Sequence, residues 1–425
     1  MAVAFRPTLA PPTWRIVAAA SIGNALEWFD LLVYGYLAVT ISRLFFPSND
    51  ENASLLLALG TFGVSYLIRP LGALALGAYA DRSGRKASLL ASIQLMMIGT
   101  LLMAALPTYR SIGLLAPAGV LIARLLQRFS IGGEFGSGTS FLVEHGPDRK
   151  GFFGSFQWAG QGLAAVLASA FGIGLATAVT RSQLDSWGWR LPYLFGLLIG
   201  PIGFYIRRHI DETPEFVAAP LSLTPLRELL TRQLDRVFLA IGIAVISNSS
   251  NYVILYMPTF AVTQLKLPAS TGFTATLLGG LILTVGSPVF GHWSDKVGRT
   301  PIMIAAALLF LITSYPAFVL LTAVPTMAVV VFVVCWLSLL KTAYSGVLPS
   351  LMAELFPTRT RAVGVALSYN ISVPIFGGFA PFFAALLIQL TGDGHAPSFY
   401  LMLTALISLG TLLAARAGSR RSSAG

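Results

Sequence analysis

Three groups of ionisable side chains lie inside long apolar runs, where a charge costs about 2.5 to 3.5 kcal/mol to insert into a bilayer and by default marks function. In the run 112–144, Arg124 and Arg128 stand at i, i+4 and share a helix face. Gln127 lies beside them, and Glu134 is about two turns from Gln127 on nearly the same side. Two guanidinium groups on one stripe repel, so a polyanionic ligand or buried carboxylates must offset them. A second group, Glu27, Asp30 and Tyr34, falls on one face at i, i+3, i+7. Carboxylates in a low-dielectric cavity can alternate between protonated and ion-paired states, which is the chemistry of a proton carrier; a structural partner for Arg124 or Arg69 is the competing role. The third group is Lys341, with Tyr344 and Ser345 on its face. If Arg124, Arg128 and Lys341 converge, they suit a di- or tricarboxylate, because Arg can clamp a carboxylate through two parallel bonds while Lys acts as a point charge. Otherwise Arg128 or Lys341 reaches an interface along its aliphatic stem, or pairs with Glu134.

Uncharged polar groups recur near these charges at three- or four-residue spacing: Gln157 with Gln161, Asn248 with Asn251, Tyr252 and Tyr256, and Tyr369 with Asn370. They offer amide and hydroxyl contacts to a hydroxylated carboxylate, or else hydrogen bonds between helices. The substrate-binding expectation thus covers Arg124, Arg128, Lys341, Gln127, Gln157, Gln161, Asn248, Tyr252, Tyr344, Tyr369 and Asn370. The proton-coupling expectation covers Asp30, Glu27 and Glu134.

The elements that must position these residues follow from composition. Of 425 residues, 55% are hydrophobic and 11% charged, too apolar for a water-soluble fold, so the bilayer is the solvent. Twelve runs are long enough to span it: 15–44, 53–80, 87–107, 112–144, 151–179, 189–208, 237–264, 271–294, 301–323, 326–356, 361–390 and 397–417. The net charge of +11 would suggest nucleic acid in a soluble protein, but its distribution excludes that partner. With the N-terminus inside, the outer loops hold only Arg43, Arg110, Arg181, Arg190 and Lys266, and the spans hold Arg69, Arg124, Arg128 and Lys341. The remaining basic residues fall on the other side, which places both termini in the cytoplasm of a multi-pass inner-membrane protein. The first run is long and followed by eleven more, so it reads as a span and not as a cleaved signal.

The chain is duplicated. The loop GAYADRSGRK, Gly77 to Lys86, returns as GHWSDKVGRT, Gly291 to Thr300, at an offset of 214 residues. The loop EHGPDRKGFFG, from Glu144, returns as ELFPTRTRAVG, from Glu354, at an offset of 210. Two matching loops per half imply parallel six-helix halves related by an axis along the membrane normal. The expected organisation is a tail 1–14, a bundle 15–208, a linker 209–236, a second bundle 237–417 and a tail 418–425. The linker holds a short amphipathic helix through Leu226, Leu229 and Leu230, its arginines toward the headgroups. In the repeated loop, Gly77, Asp81, Arg82, Gly84 and Arg85, with Asp295, Gly298 and Arg299 in the second copy, are read as a gating latch of ion pairs at helix ends; plain anchoring to anionic headgroups is the competing role.

The first copy of that loop is similar to the hallmark of the major facilitator superfamily. Within it, GNALEWFD (Gly23 to Asp30), RLLQRFSIGGEFG (Arg124 to Gly136), GFFGSFQ (Gly151 to Gln157), WGWRLPY (Trp187 to Tyr193) and DETPEF (Asp211 to Phe216) resemble the metabolite:proton symporter family. IFGGFAP (Ile375 to Pro381) and LTGD (Leu390 to Asp393) look most like its bacterial citrate/tricarballylate-proton symporters. The resemblance implies an all-α integral membrane fold of twelve transmembrane helices in two pseudosymmetric six-helix bundles. It also implies that Arg124 takes part in substrate or proton coupling and that one carboxylate, Asp30 more than Glu27, couples the proton to substrate movement. Arg128, where that family usually has glycine, and Lys341 depart from the pattern and leave the anion open.

The expected function is import of a di- or tricarboxylate such as citrate or tricarballylate with protons, by alternating access, through a monomer that needs no cofactor. A 2-oxo acid, a shikimate-like acid or an osmolyte such as betaine or proline is the alternative substrate, and an anion sensor the alternative class. The four histidines do not cluster, so no metal is expected, and no G-x-x-x-x-G-K-[ST] loop provides for ATP. No nucleophile, base or metal constellation suggests an enzyme.

Overall fold

The computed structural model describes residues 24–25, 28–83, 85–132, 134–144, 146, 148–208, 225–358 and 360–422. Every element among them is helical. Twelve spans follow in order, α1 to α12. The first, α1, is Trp28–Tyr36 and Ala38–Phe45, bent by 69° at Leu37. Next, α2 joins Glu51–Ser65 to Arg69–Ser83 through a 3₁₀ turn, and α3 is Arg85–Ala105. Helix α4 is Leu115–Ile131 followed by Glu134–Glu144. Lys150–Ala178 is α5, Leu191–Arg208 is α6, Leu234–Thr263 is α7, Ala269–Val297 is α8 and Arg299–Ala323 is α9. Helix α10 is Met327–Ser345 with Leu348–Leu355, α11 runs from Arg361 to Thr391 through a π-helical turn at Val373–Gly378, and α12 is Ala396–Ser422.

Eight of these are long and apolar enough to cross a bilayer by themselves, and the bent α1 makes a ninth. The other three fall short for visible reasons. The apolar part of α3 is only Leu90–Ala105, α4 carries Arg124 and Arg128 and breaks after Ile131, and α6 ends on Arg207 and Arg208. Outward faces are lined by exposed Leu71, Val285, Ile312, Phe332 and Leu403, the surface expected against lipid chains. A short helix runs over Pro225–Arg232, and its Leu229 is buried. Thr360 Oγ1 donates to Gln233 Oε1 at 3.0 Å beside it, so this end of the helix is pinned to the start of α11. Residues 209–224 lie outside the described residues.

Small residues set how the spans cross. A Cβ on Gly132 would collide with the Arg69 carbonyl, and one on Gly72 with the Phe129 carbonyl, so α2 and α4 touch backbone to backbone there. That crossing brings Arg69 into the neighbourhood of Arg128. Between the halves, Gly162 of α5 and Gly280 of α8 make the same kind of contact. The turn from α8 to α9 rests on Gly298 at φ 93°, a conformation that favours glycine, with its N–H bonded to the Ser294 carbonyl at 3.0 Å.

Candidate functional site

Among the described residues, the buried ionisable side chains are Asp30, Arg69, Arg124, Arg128 and Lys341. Four are cationic and one anionic. Glu27 and the side chain of Glu134, the other expected carboxylates, lie outside the described residues.

Arg124 sits at the hub. Its Nη1 donates to Asp30 Oδ2 at 3.3 Å and to Gln127 Oε1 at 2.6 Å, and Gln127 Nε2 donates on to Thr100 Oγ1 at 3.1 Å. The guanidinium lies 4.2 Å over the Tyr34 ring, and Tyr34 is itself held by a 2.9 Å bond to the Ala58 carbonyl. Thus α1, α3 and α4 are joined by one polar chain. Arg128, one turn on, faces rings: its guanidinium is 4.4 Å from the centre of Tyr66 and 5.5 Å from that of Phe62. Arg69 stands 5.8 Å from Tyr66 and 5.7 Å from Tyr369 on α11. Ring faces carry part of the stabilisation of such cations when water is excluded.

Lys341 is elsewhere. Its Nζ donates to Asn251 Oδ1 at 2.5 Å and lies 5.3 Å from the Trp158 ring. Trp28, Trp158, Tyr66 and Tyr252 form a connected set of rings with centroids 5.5 to 6.5 Å apart, and this set separates Lys341 from Arg128. The three cations expected to meet at one point are therefore placed around the rim of an aromatic cluster.

The polar residues divide between two roles. Tyr344 Oη donates to the Ile243 carbonyl at 2.7 Å, so its hydroxyl is engaged with the backbone of α7. Gln157 and Asn24 bond each other, and Trp28 Nε1 donates to Asn24 Oδ1 at 3.1 Å. Asn248 Nδ2 donates to Ser372 Oγ at 3.0 Å, and Asn370 Nδ2 donates across the halves to the Gly132 carbonyl. Other atoms are buried without a hydrogen-bond partner: Nε of Arg69, Nε and Nη2 of both Arg124 and Arg128, the hydroxyls of Tyr66, Tyr252 and Tyr369, and Nε1 of Trp158. The hydroxyls can also accept, and Asp30 Oδ1, Asn248 Oδ1 and Asn370 Oδ1 are acceptors without partners, but the arginine and indole nitrogens only donate, and leaving buried donors unmet costs about 1 to 3 kcal/mol each. An acceptor-rich ligand meets that demand. Arg69, Tyr66, Trp28 and Trp158 were not among the expected site residues. Arg69 carried the signal, a charge within an apolar run; the aromatics carried none.

Among the described residues, contacts join the halves at both ends of the space between them. On the side of the repeated loops, Asp295 on α8 accepts from the Gly151 and Phe152 N–H groups at 2.8 and 2.9 Å, capping the first turn of α5 in the other half. Arg299 pairs with Asp295 at 2.8 Å and Glu354 at 3.3 Å, and Arg361 with Glu144 across the halves at 3.1 Å. The first copy shows Gly77 exposed on α2; Gly84 and the side chains of Asp81, Arg82 and Arg85 lie outside the described residues. At the far end, Tyr36 packs edge-on to Phe273 at 5.8 Å, and Ser169 bonds Thr276 at 2.9 Å. Among the described residues no three His, Cys, Asp or Glu side chains gather in a metal-binding group.

Comparison with known proteins places this geometry. The Major Facilitator Superfamily model matches residues 20–372. A citrate-proton symporter of Klebsiella pneumoniae is 38% identical over 391 residues, covering 91% of this chain and 88% of its own. A proline/betaine transporter of Escherichia coli (strain K12) is 33% identical over 413 residues, with 93% and 82% covered. Among solved structures, a D-xylose-proton symporter superposes with a TM-score of 0.76 at 18% identity, over 94% of this chain and 96% of that one; at this identity the likeness speaks for the fold.

Proposed function

The chain belongs to the Major Facilitator Superfamily, and we propose that it imports a di- or tricarboxylate, citrate foremost, together with protons by alternating access. The observation that carries this reading is the buried charge set: four cations against one described carboxylate, ringed by donors without partners. A polyanion supplies both the missing charge and the missing acceptors. A zwitterion such as betaine supplies no net charge and would leave the guanidinium groups unpaid for.

The Asp30–Arg124 pair gives a route for coupling. A substrate carboxylate that takes Arg124 strips Asp30 of its partner, and an isolated carboxylate in a dry site is stable only when protonated. Substrate and proton therefore load together. On the other side, departure of the substrate returns Arg124 to Asp30 and expels the proton. Arg128 and Arg69 hold a second carboxylate with the tyrosine hydroxyls of Tyr66, Tyr252 and Tyr369. Each net positive charge carried inward across a membrane negative inside gains about 2.3 kcal/mol per 100 mV, so enough protons must accompany the polyanion for the potential to help.

The halves rock about the α5–α8 contact, with the Asp295 cap and the Arg361–Glu144 pair as the latch at one end. The placement of basic residues in the sequence supports assigning that end and both termini to the cytoplasmic side of the inner membrane. Because the site lies between halves of a single chain, one copy is the working unit.

The test is uptake of labelled citrate by proteoliposomes with and without an imposed inward proton gradient. Gradient-driven accumulation is expected, and uptake indifferent to the gradient sinks the proposal. Asp30→Asn should retain substrate counterflow while losing accumulation; loss of both would make Asp30 a structural partner only.

A further inference from the structure

Gln161 on α5, Asn251 on α7 and Lys341 on α10 form a buried polar cluster across the two halves. Its hydrogen-bond roles are fixed by one fact, that an ammonium only donates. The oxygen of Asn251 must therefore face Lys341 Nζ, at 2.5 Å, and the same oxygen accepts from Gln161 Nε2 at 2.8 Å. Two atoms remain without partners: Asn251 Nδ2, a donor, and Gln161 Oε1, an acceptor. Both side chains line a cavity of about 20 Å³, shared with Ser338 and Thr276. That is room for one group the size of a water molecule.

One spare donor and one spare acceptor beside a water-sized space are the complement of a hydroxyl. A carboxylate only accepts, and a quaternary ammonium does neither. The geometry points to a hydroxyl subsite: Gln161 Oε1 and Asn251 Nδ2 read the hydroxyl of a 2-hydroxy carboxylate, and Lys341 turns its remaining N–H groups to the carboxylate on the same carbon. The inference rests on the carboxylate reading above and narrows it to hydroxy acids over their deoxy counterparts. An acid lacking the hydroxyl leaves both buried groups stranded in the closed state. Since Gln161 belongs to one half and Asn251 to the other, a bridging hydroxyl also favours closure, and the preference extends to the transport rate.

The experiment is competition against labelled citrate uptake in proteoliposomes by unlabelled citrate and by tricarballylate, which lacks only the hydroxyl, with malate and succinate as a second pair. In each pair the hydroxy acid should compete at least about tenfold better. Gln161→Leu should bring that ratio to within about twofold of unity, as should Asn251→Asp, which keeps the acceptor for Lys341 but exchanges the spare donor for an acceptor. Equal potency within the pairs for the unaltered protein overturns the subsite. So does a ratio that survives both substitutions, the outcome of a cluster that holds a structural water only. If citrate itself is not taken up, the carboxylate reading falls and takes the subsite with it; if citrate is taken up and the ratio is one, the subsite alone falls.

Discussion

On the N-terminal side of the central space, α2 and α4 bring three buried arginines, of which Arg124 pairs with Asp30 of α1 while Arg69 and Arg128 stand over aromatic rings. On the C-terminal side, Asn251 of α7 bonds Lys341 of α10, while Asn248 of α7 bonds Ser372 of α11 and Asn370 of α11 reaches the Gly132 carbonyl. The halves share near-copies of two loops, yet at the middle of the membrane they differ in kind. On the function proposed above, the N-terminal half carries most of the positive charge that a polyanion would meet, and the C-terminal half adds one lysine and the amides of Asn248, Asn251 and Asn370. On that proposal neither half alone makes the whole site, so complete binding would require that the halves meet, and recognition would become a condition for closure.

The largest effect expected from this division is at Arg124. Arg124→Leu leaves Asp30 buried and unpaired, a cost of about 3 to 5 kcal/mol, so both folded yield and uptake should collapse. Adding Asp30→Asn should restore thermal stability in detergent without restoring uptake. Stability undiminished in the single variant would mean that Asp30 draws its compensation from somewhere else. Next comes Arg128→Gln, which should weaken citrate competition by roughly 10- to 100-fold, while Asn248→Ala on the opposite face weakens it by about fivefold. Equal losses from these two would erase the contrast between the halves. Smaller still, Asp295→Asn removes the carboxylate charge at the start of α5, an interaction of about 0.3 to 1 kcal/mol, and should lower maximal uptake a few-fold with little change in half-saturation. At the low end, Tyr344→Phe should cost about 1 kcal/mol of stability and leave the affinity in place, because that hydroxyl serves the Ile243 carbonyl. A change of affinity there would return Tyr344 to the binding surface.

The spans were legible because a bilayer imposes a length, and uninterrupted apolar runs of that length are hard to miss. Bends were not. Nothing in the run 15–44 marks Leu37 as the break in α1, since the break depends on what the helix packs against. In the site, Arg124 and Arg128 were visible as a pair from their spacing alone. That Arg69 joins them depends on the Gly72 and Gly132 crossing, a tertiary contact that spacing does not encode. Lys341 was expected beside the arginines and lies beyond an aromatic cluster, because Trp28, Tyr66 and Tyr252 look in sequence like any lipid-facing rings. The acid of the second loop copy, Asp295, stands out in the sequence as a charge at a helix end. Its partners, the Gly151 and Phe152 N–H groups, are backbone atoms that any sequence would supply.

The π-helical turn at Val373–Gly378 has a consequence for phase. At about 100° per residue, a straight helix would set Phe382 roughly 120° around the axis from Asn370; the one residue of slack in a π turn reduces that to about 20°. Asn370 can therefore reach the Gly132 carbonyl of α4 while Phe382 and Phe379 abut Gly60 and Gly63 of α2, all on one meridian of α11. Excising a single residue from the turn would rotate the outer half of α11 by about 100° and swing both phenylalanines off their glycines, leaving the inner half correctly seated. The helix is thus two keys cut at different angles, and the turn between them is what lets both fit one lock.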